Sequence, residues 1–110
     1  MSDARPLTAV PASRATSTFR GRRVDLVVDV RSRLEFWMGH LDGAICVPAH
    51  RVAERLATDA ELGRDACILV YCASGARSAM AAGTLRAAGF RNVVDGGGLV
   101  AAARDFAAGA

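Results

Sequence analysis

One cysteine in this sequence stands where chemistry can happen. Cys72 directly follows the apolar run Cys67-Ile68-Leu69-Val70-Tyr71 and opens a stretch of small residues, Ala73, Ser74, Gly75 and Ala76, closed by Arg77 and Ser78. Small side chains at such a turn let the backbone curl until successive N–H groups point inward. The result is an anion nest with a helix dipole behind it. Both effects favour thiolate over thiol. An unperturbed cysteine is only about 3% thiolate at pH 7, and lowering its pKa by about two units makes it roughly three-quarters thiolate. Arg77 adds a fixed positive charge at the loop's end. The pattern points to a nucleophilic thiol able to bind an anionic substrate or to carry a terminal persulfide sulfur. Cys46 and Cys67, inside apolar runs, read as inert packing instead.

The elements around this loop must place it. Cys67–Tyr71, apolar throughout, reads as a strand buried on both faces of a parallel sheet. A helix over about Arg77–Ala88 follows the loop, and Gly89 in the left-handed conformation would let Phe90 fold back onto Leu85. Upstream, Val24–Val30 is β-branched and predicts a strand. Ser32 caps a short helix through Leu34–Met38, stopped by Gly39. Ala44–Val47 predicts a second strand closed by Pro48, and Val52 with Leu56 lines one helix face up to a break at Gly63. Val93-Val94 predicts a short strand, Gly96–Gly98 a flexible turn and Leu99–Ala108 a last helix. Leu7–Val10 reads as a short edge strand, but residues 1–23 otherwise carry little signal. Arg20-Gly21-Arg22-Arg23 reads as a solvated turn. Strand and helix alternate, so the expected class is α/β: a small, mostly parallel sheet of four to five strands with helices on both faces. In such sheets ligands bind at the carboxyl ends of strands, where Cys72 falls.

Composition narrows the partners. The 110 residues suffice for one domain spanning 1–110. At 52% hydrophobic and 23% charged the chain is a globular rather than a disordered one. No apolar run approaches the roughly 20 residues of a membrane span, so no membrane is implied. The opening residues hold no stretch long enough for a secretory signal, which places the protein in the cytoplasm with reduced thiols. All 14 basic residues are arginine, giving a net charge of +3, but they are interleaved with 11 acidic residues. With no basic stripe and no aromatic platform, nucleic acid is not an expected partner.

At this point the residues resemble a known family. Cys72-Ala73-Ser74-Gly75-Ala76-Arg77-Ser78 is similar to the active-site loop of rhodanese-like sulfurtransferases of single-domain type. Val28-Asp29-Val30-Arg31, Glu35-Phe36, Gly39-His40-Leu41-Asp42-Gly43-Ala44-Ile45 and Val47-Pro48 resemble that family's upstream signature, in the right order. Leu85–Val93 and the Gly96–Gly98 turn match downstream, so the likeness is strongest over residues 24–106. The resemblance implies that Cys72 accepts sulfur. It implies that the backbone amides of Ala73, Ser74, Gly75, Ala76, Arg77 and Ser78 hold the persulfide, with Arg77 assisting. Asp29 and Arg31 would lie beside the loop and support it through hydrogen bonds and charge. Gly39, His40 and Gly43 look structural, with His40 a satisfied packing histidine and His50 a surface residue. Many relatives carry a tryptophan soon after the glycine turn; Leu99–Ala103 offers none.

Three functions compete. The first is sulfur transfer from thiosulfate or a persulfide donor through a Cys72 persulfide to cyanide, a low-molecular-weight thiol or a protein thiol. No metal or organic cofactor is implied. The second is a cysteine phosphatase, whose Cys-x5-Arg loop cradles a tetrahedral phosphate; four residues separate Cys72 from Arg77, and the shorter loop suits a single sulfur atom better. The third is a non-enzymatic persulfide carrier or sulfur sensor that acts with a protein partner.

Overall fold

The computed structural model describes residues 17–109, so the edge strand expected at Leu7–Val10 lies outside the described residues. In chain order, Thr18–Phe19 (β1) and Arg22–Arg23 (β2) are followed by Leu26–Asp29 (β3), Arg33–Met38 (α1), Ile45–Cys46 (β4) and Val52–Ala57 (α2). Cys67–Cys72 (β5), Ala76–Ala87 (α3), Asn92–Gly98 (β6), Leu99–Asp105 (α4) and Phe106–Ala107 (β7) complete the described chain.

The apolar runs build a four-stranded parallel sheet in the order β4-β3-β5-β6. Every residue of β5 is buried, as a central strand requires. Side chains alternate between its faces. Ile68, Val70 and Cys72 join Leu26, Val28, Leu56, Ala81, Leu85 and Phe90 on the face covered by α2 and α3. Cys67, Leu69 and Tyr71 join Val27, Leu41 and Ala102 on the other, with Phe36 of α1 and Leu99 of α4 packed against them. The expected α/β class with helices on both faces is thus observed. The end of α3 is also as expected: Gly89 has φ +101°, and the Phe90 amide returns to the Leu85 carbonyl at 3.2 Å.

Three local expectations need correction. Arg20-Gly21 is the exposed turn expected, but Arg22-Arg23 leaves it as a strand: both turn residues take positive φ (52° and 77°), and Thr18–Phe19 pairs with Arg22–Arg23 across them as a β-hairpin. The Arg20 amide and guanidinium are held by the backbone and carboxylate of Asp105. The last helix stops at Asp105 rather than Ala108, since Phe106–Ala107 pairs antiparallel with β1 to complete a second sheet, β2-β1-β7. Gly96–Gly98 is not a flexible turn but the last stretch of β6, and it pairs with β5 across a register shift that sets Cys72 opposite Gly98. Sequence hides this because three consecutive glycines read as a break.

Candidate active site

Cys72 is the last residue of the central strand, and the sheet twist and bulge deliver it to the start of α3. Gly75 caps that helix with φ 111°, a left-handed conformation that a side chain would strain. The turn aims the Gly75 N–H at the Cys72 sulfur, N to Sγ 2.9 Å. Ser78, wholly buried one turn further on, donates its hydroxyl to the Gly75 carbonyl at 3.1 Å and so pins the loop to the helix. Burial is the largest single influence on the Cys72 thiol and pushes its pKa up. The amide and hydroxyl of Ser78, with the amides of Gly75 and Ser74, together outweigh it and hold the pKa below the ordinary thiol value. N–H donors around the sulfur favour the thiolate form.

The far wall of the loop is β6. A β-carbon on Gly98 would meet the Ala73 carbonyl oxygen at 2.5 Å, so only glycine lets the strand come this close. Gly96 is nearly as confined, with Leu69 and the Val70 carbonyl 3.0 and 3.2 Å from a built β-carbon. The glycine run is therefore part of the site's architecture.

Arg77 is engaged by α1. Its guanidinium forks onto the Glu35 carboxylate, Nη1–Oε1 2.8 Å and Nη2–Oε2 2.9 Å. Glu35 is itself fixed at the start of α1: Ser32 Oγ accepts the Glu35 N–H at 3.2 Å, and the Ser32 N–H donates to Glu35 Oε1 at 3.0 Å, a complete capping box. The Arg77 hydrogen bond first, and the Ser32 backbone second, lower the Glu35 pKa to about 2. The Cys72 and Asp29 charges still act on Arg77 through space. Sequence alone does not join Glu35 to Arg77 across 42 positions; the Ser32-x-x-Glu35 spacing signals the cap, and the cap aims the carboxylate.

Asp29 and Arg31 form a buried ion pair, Nη2–Oδ2 2.7 Å, with the Arg31 amide also donating to Asp29 at 2.9 Å. Arg31 reaches on to the Gly39 carbonyl at 2.5 Å and lies over the Tyr71 ring, 5.8 Å from its centroid. Tyr71 in turn accepts the Leu41 N–H at 3.0 Å. Asp29 is paired in register with Tyr71, next to Cys72 in sequence but facing the opposite side of the sheet. The Arg31 guanidinium donates to the Asp29 carboxylate and to the Gly39 carbonyl, and the backbone carbonyls of Asp29 and Arg31 accept from the Val47 amide and the Cys46 thiol. Asp29 also acts through space on Arg77 at the end of the loop.

The remaining candidates are accounted for. Burial raises the thiols of Cys46 and Cys67, which are packing residues. His40 is solvent-exposed but satisfied: its ring stacks on Phe36 at 3.6 Å and Nδ1 lies 2.8 Å from the Phe36 carbonyl. His50 is exposed. An apolar groove lined by Phe36, Trp37, Ile45 and Cys46 contains none of residues 72–78.

A parallel α/β sheet with a cysteine at the tip of a central strand, its sulfur met by the amide of the following loop, is the class of domain the fold and site define. The comparisons identify the family. The family model of the rhodanese-like domain matches residues 14–100, and the chain belongs to that family. It is 36% identical over 72 residues to the thiosulfate sulfurtransferase PspE of Escherichia coli, covering 66% of this chain and 68% of that one. It is 38% identical over 77 residues to a tRNA uridine(34) hydroxylase of Sodalis glossinidius, covering 66% of this chain but 22% of the relative. The chain thus spans about a fifth of the hydroxylase's length. Among solved structures it is similar to a rhodanese with anions from E. coli, with TM-score 0.66 and 33% identity, covering 76% of this chain and 98% of that one.

Proposed function

We propose that this domain, residues 1–110 acting as one unit, is a sulfurtransferase that moves sulfane sulfur through a Cys72 persulfide. The observation that carries the reading is the Cys72 sulfur bonded to the Gly75 amide, with its pKa held down by the loop's donors. In the first half-reaction the thiolate attacks the sulfane sulfur of thiosulfate or of a persulfide. A new S–S bond forms on Cys72, the donor's S–S bond breaks, and its electron pair leaves with sulfite or a thiolate. In the second, cyanide or a low-molecular-weight or protein thiolate attacks the terminal sulfur and regenerates the Cys72 thiolate. The backbone N–H groups of Ala73 to Ser78 bind the terminal sulfur, and Asp29 and Arg31 stiffen the adjoining strand and α1. Two half-reactions through one covalent intermediate predict ping-pong kinetics. The named activity of the PspE relative supports the assignment. Among the described residues no helix is long and apolar enough to cross a membrane. Three free cysteines suit a reducing compartment such as the cytoplasm.

The test is multiple turnover with sulfane-sulfur donors and cyanide or thiol acceptors. Catalytic turnover lost in Cys72→Ser supports the reading. Stoichiometric loading of Cys72 without turnover would replace the enzyme by a persulfide carrier, and absence of loading would reject both.

A further inference from the structure

Residues 73–78 carry a single charged side chain, and an ion pair offsets part of that charge. Both Nη groups of Arg77 donate to Glu35, which the capping box holds in place. Ala73, Ser74, Gly75 and Ala76 are neutral. What else attracts an anion there is the partial charge of the backbone amides.

Resting on the sulfurtransferase reading, we infer that Glu35 is a specificity-determining residue. By occupying Arg77 it turns the Cys72 site away from dianionic thiosulfate and toward a low-molecular-weight organic persulfide, R–S–SH. Transfer then runs from R–S–SH to the Cys72 thiolate. The Cys72–S bond forms, the donor S–S bond breaks, and R–S⁻ leaves with the electron pair and takes a proton from water. No oxidant or reductant is needed. Glu35 touches neither donor nor Cys72; it acts through Arg77 and is a positioning residue.

The experiment measures loading of Cys72 by intact mass, with thiosulfate and with cysteine persulfide generated in solution, for wild type, Glu35→Gln, Glu35→Asp and the double variant Glu35→Gln/Arg77→Ala. The intrinsic reactivity of each donor cancels when its rate is compared between variants. Freeing Arg77 in Glu35→Gln should raise thiosulfate loading relative to persulfide loading by about tenfold, the low end of what a focused charge does to association. That gain should shrink as ionic strength rises. Glu35→Asp, which keeps the charge, should stay near the wild-type ratio, and the double variant should return to it. An unchanged ratio in Glu35→Gln, or equal slowing with both donors, would overturn the inference. Failure of the underlying reading looks different: wild type would be loaded by neither donor, and both proposals would fall.

Discussion

Gly98 stands against the Ala73 carbonyl so closely that a single added methyl group would reach the oxygen at 2.5 Å. The last residue of β6 and the first residue after Cys72 thus share one space. A Gly98→Ala substitution must displace backbone, not the free end of a side chain, and is expected to cost about 1–3 kcal/mol of stability. Because the displaced backbone belongs to the nest, sulfur loading should fall on the order of tenfold to a hundredfold. Gly83→Ala, where a β-carbon meets nothing within 4 Å, is the matched control and should leave loading unchanged. Urea denaturation alongside loading kinetics checks both.

Arg77 is bonded to Glu35 yet still feels the Cys72 charge. Arg77→Ala leaves the Glu35 carboxylate uncompensated near the thiolate, so the Cys72 pKa should rise and alkylation by iodoacetamide should require higher pH. Loading should slow by roughly tenfold for each 1.4 kcal/mol lost. Arg77→Lys keeps the charge without the two-pronged fork and should recover only part of the loss. Alkylation rate against pH for the three proteins reads this directly; superimposable profiles would assign Arg77 to the surface of α3.

Glu35 is held in its ionised form by Arg77, with a pKa of about 2 against an ordinary 4.5. A carboxylate with a depressed folded pKa contributes stability that is complete above its unfolded value and disappears as pH falls through the folded one. The stability difference between wild type and Glu35→Gln should therefore be largest above about pH 5 and shrink toward about pH 2. Chemical denaturation at several pH values measures it. The pair is partly exposed, so salt should shrink the difference as well.

Much of this architecture is legible in the chain. The central strand announces itself because Cys67–Tyr71 has no polar residue, and the cysteine loop because small residues separate that strand from a helix. Gly89 and Phe90 fix the end of α3 through a local rule. What stays hidden depends on distant partners. The Arg20–Gly21 turn is held by Asp105, 85 positions away, and the β7 strand exists because β1 pairs with it. Gly96–Gly98 reads as a break until the loop it must accommodate is in place. The same holds for Arg77: its type is visible in sequence, but its engagement by Glu35 is a tertiary fact.

The most direct measurement of the central claim is the intact mass of the protein after exposure to a sulfane-sulfur donor, followed by a thiol acceptor. Wild type, Cys46→Ser and Cys67→Ser should each gain one sulfur atom and lose it to the acceptor, because burial raises the pKa of the other two thiols while the loop lowers that of Cys72. Cys72→Ser should fold and gain nothing. A Cys72→Ser protein that still takes up and releases sulfur, or a wild type whose added sulfur maps to Cys46 or Cys67, would contradict the assignment of Cys72 as the sulfur acceptor.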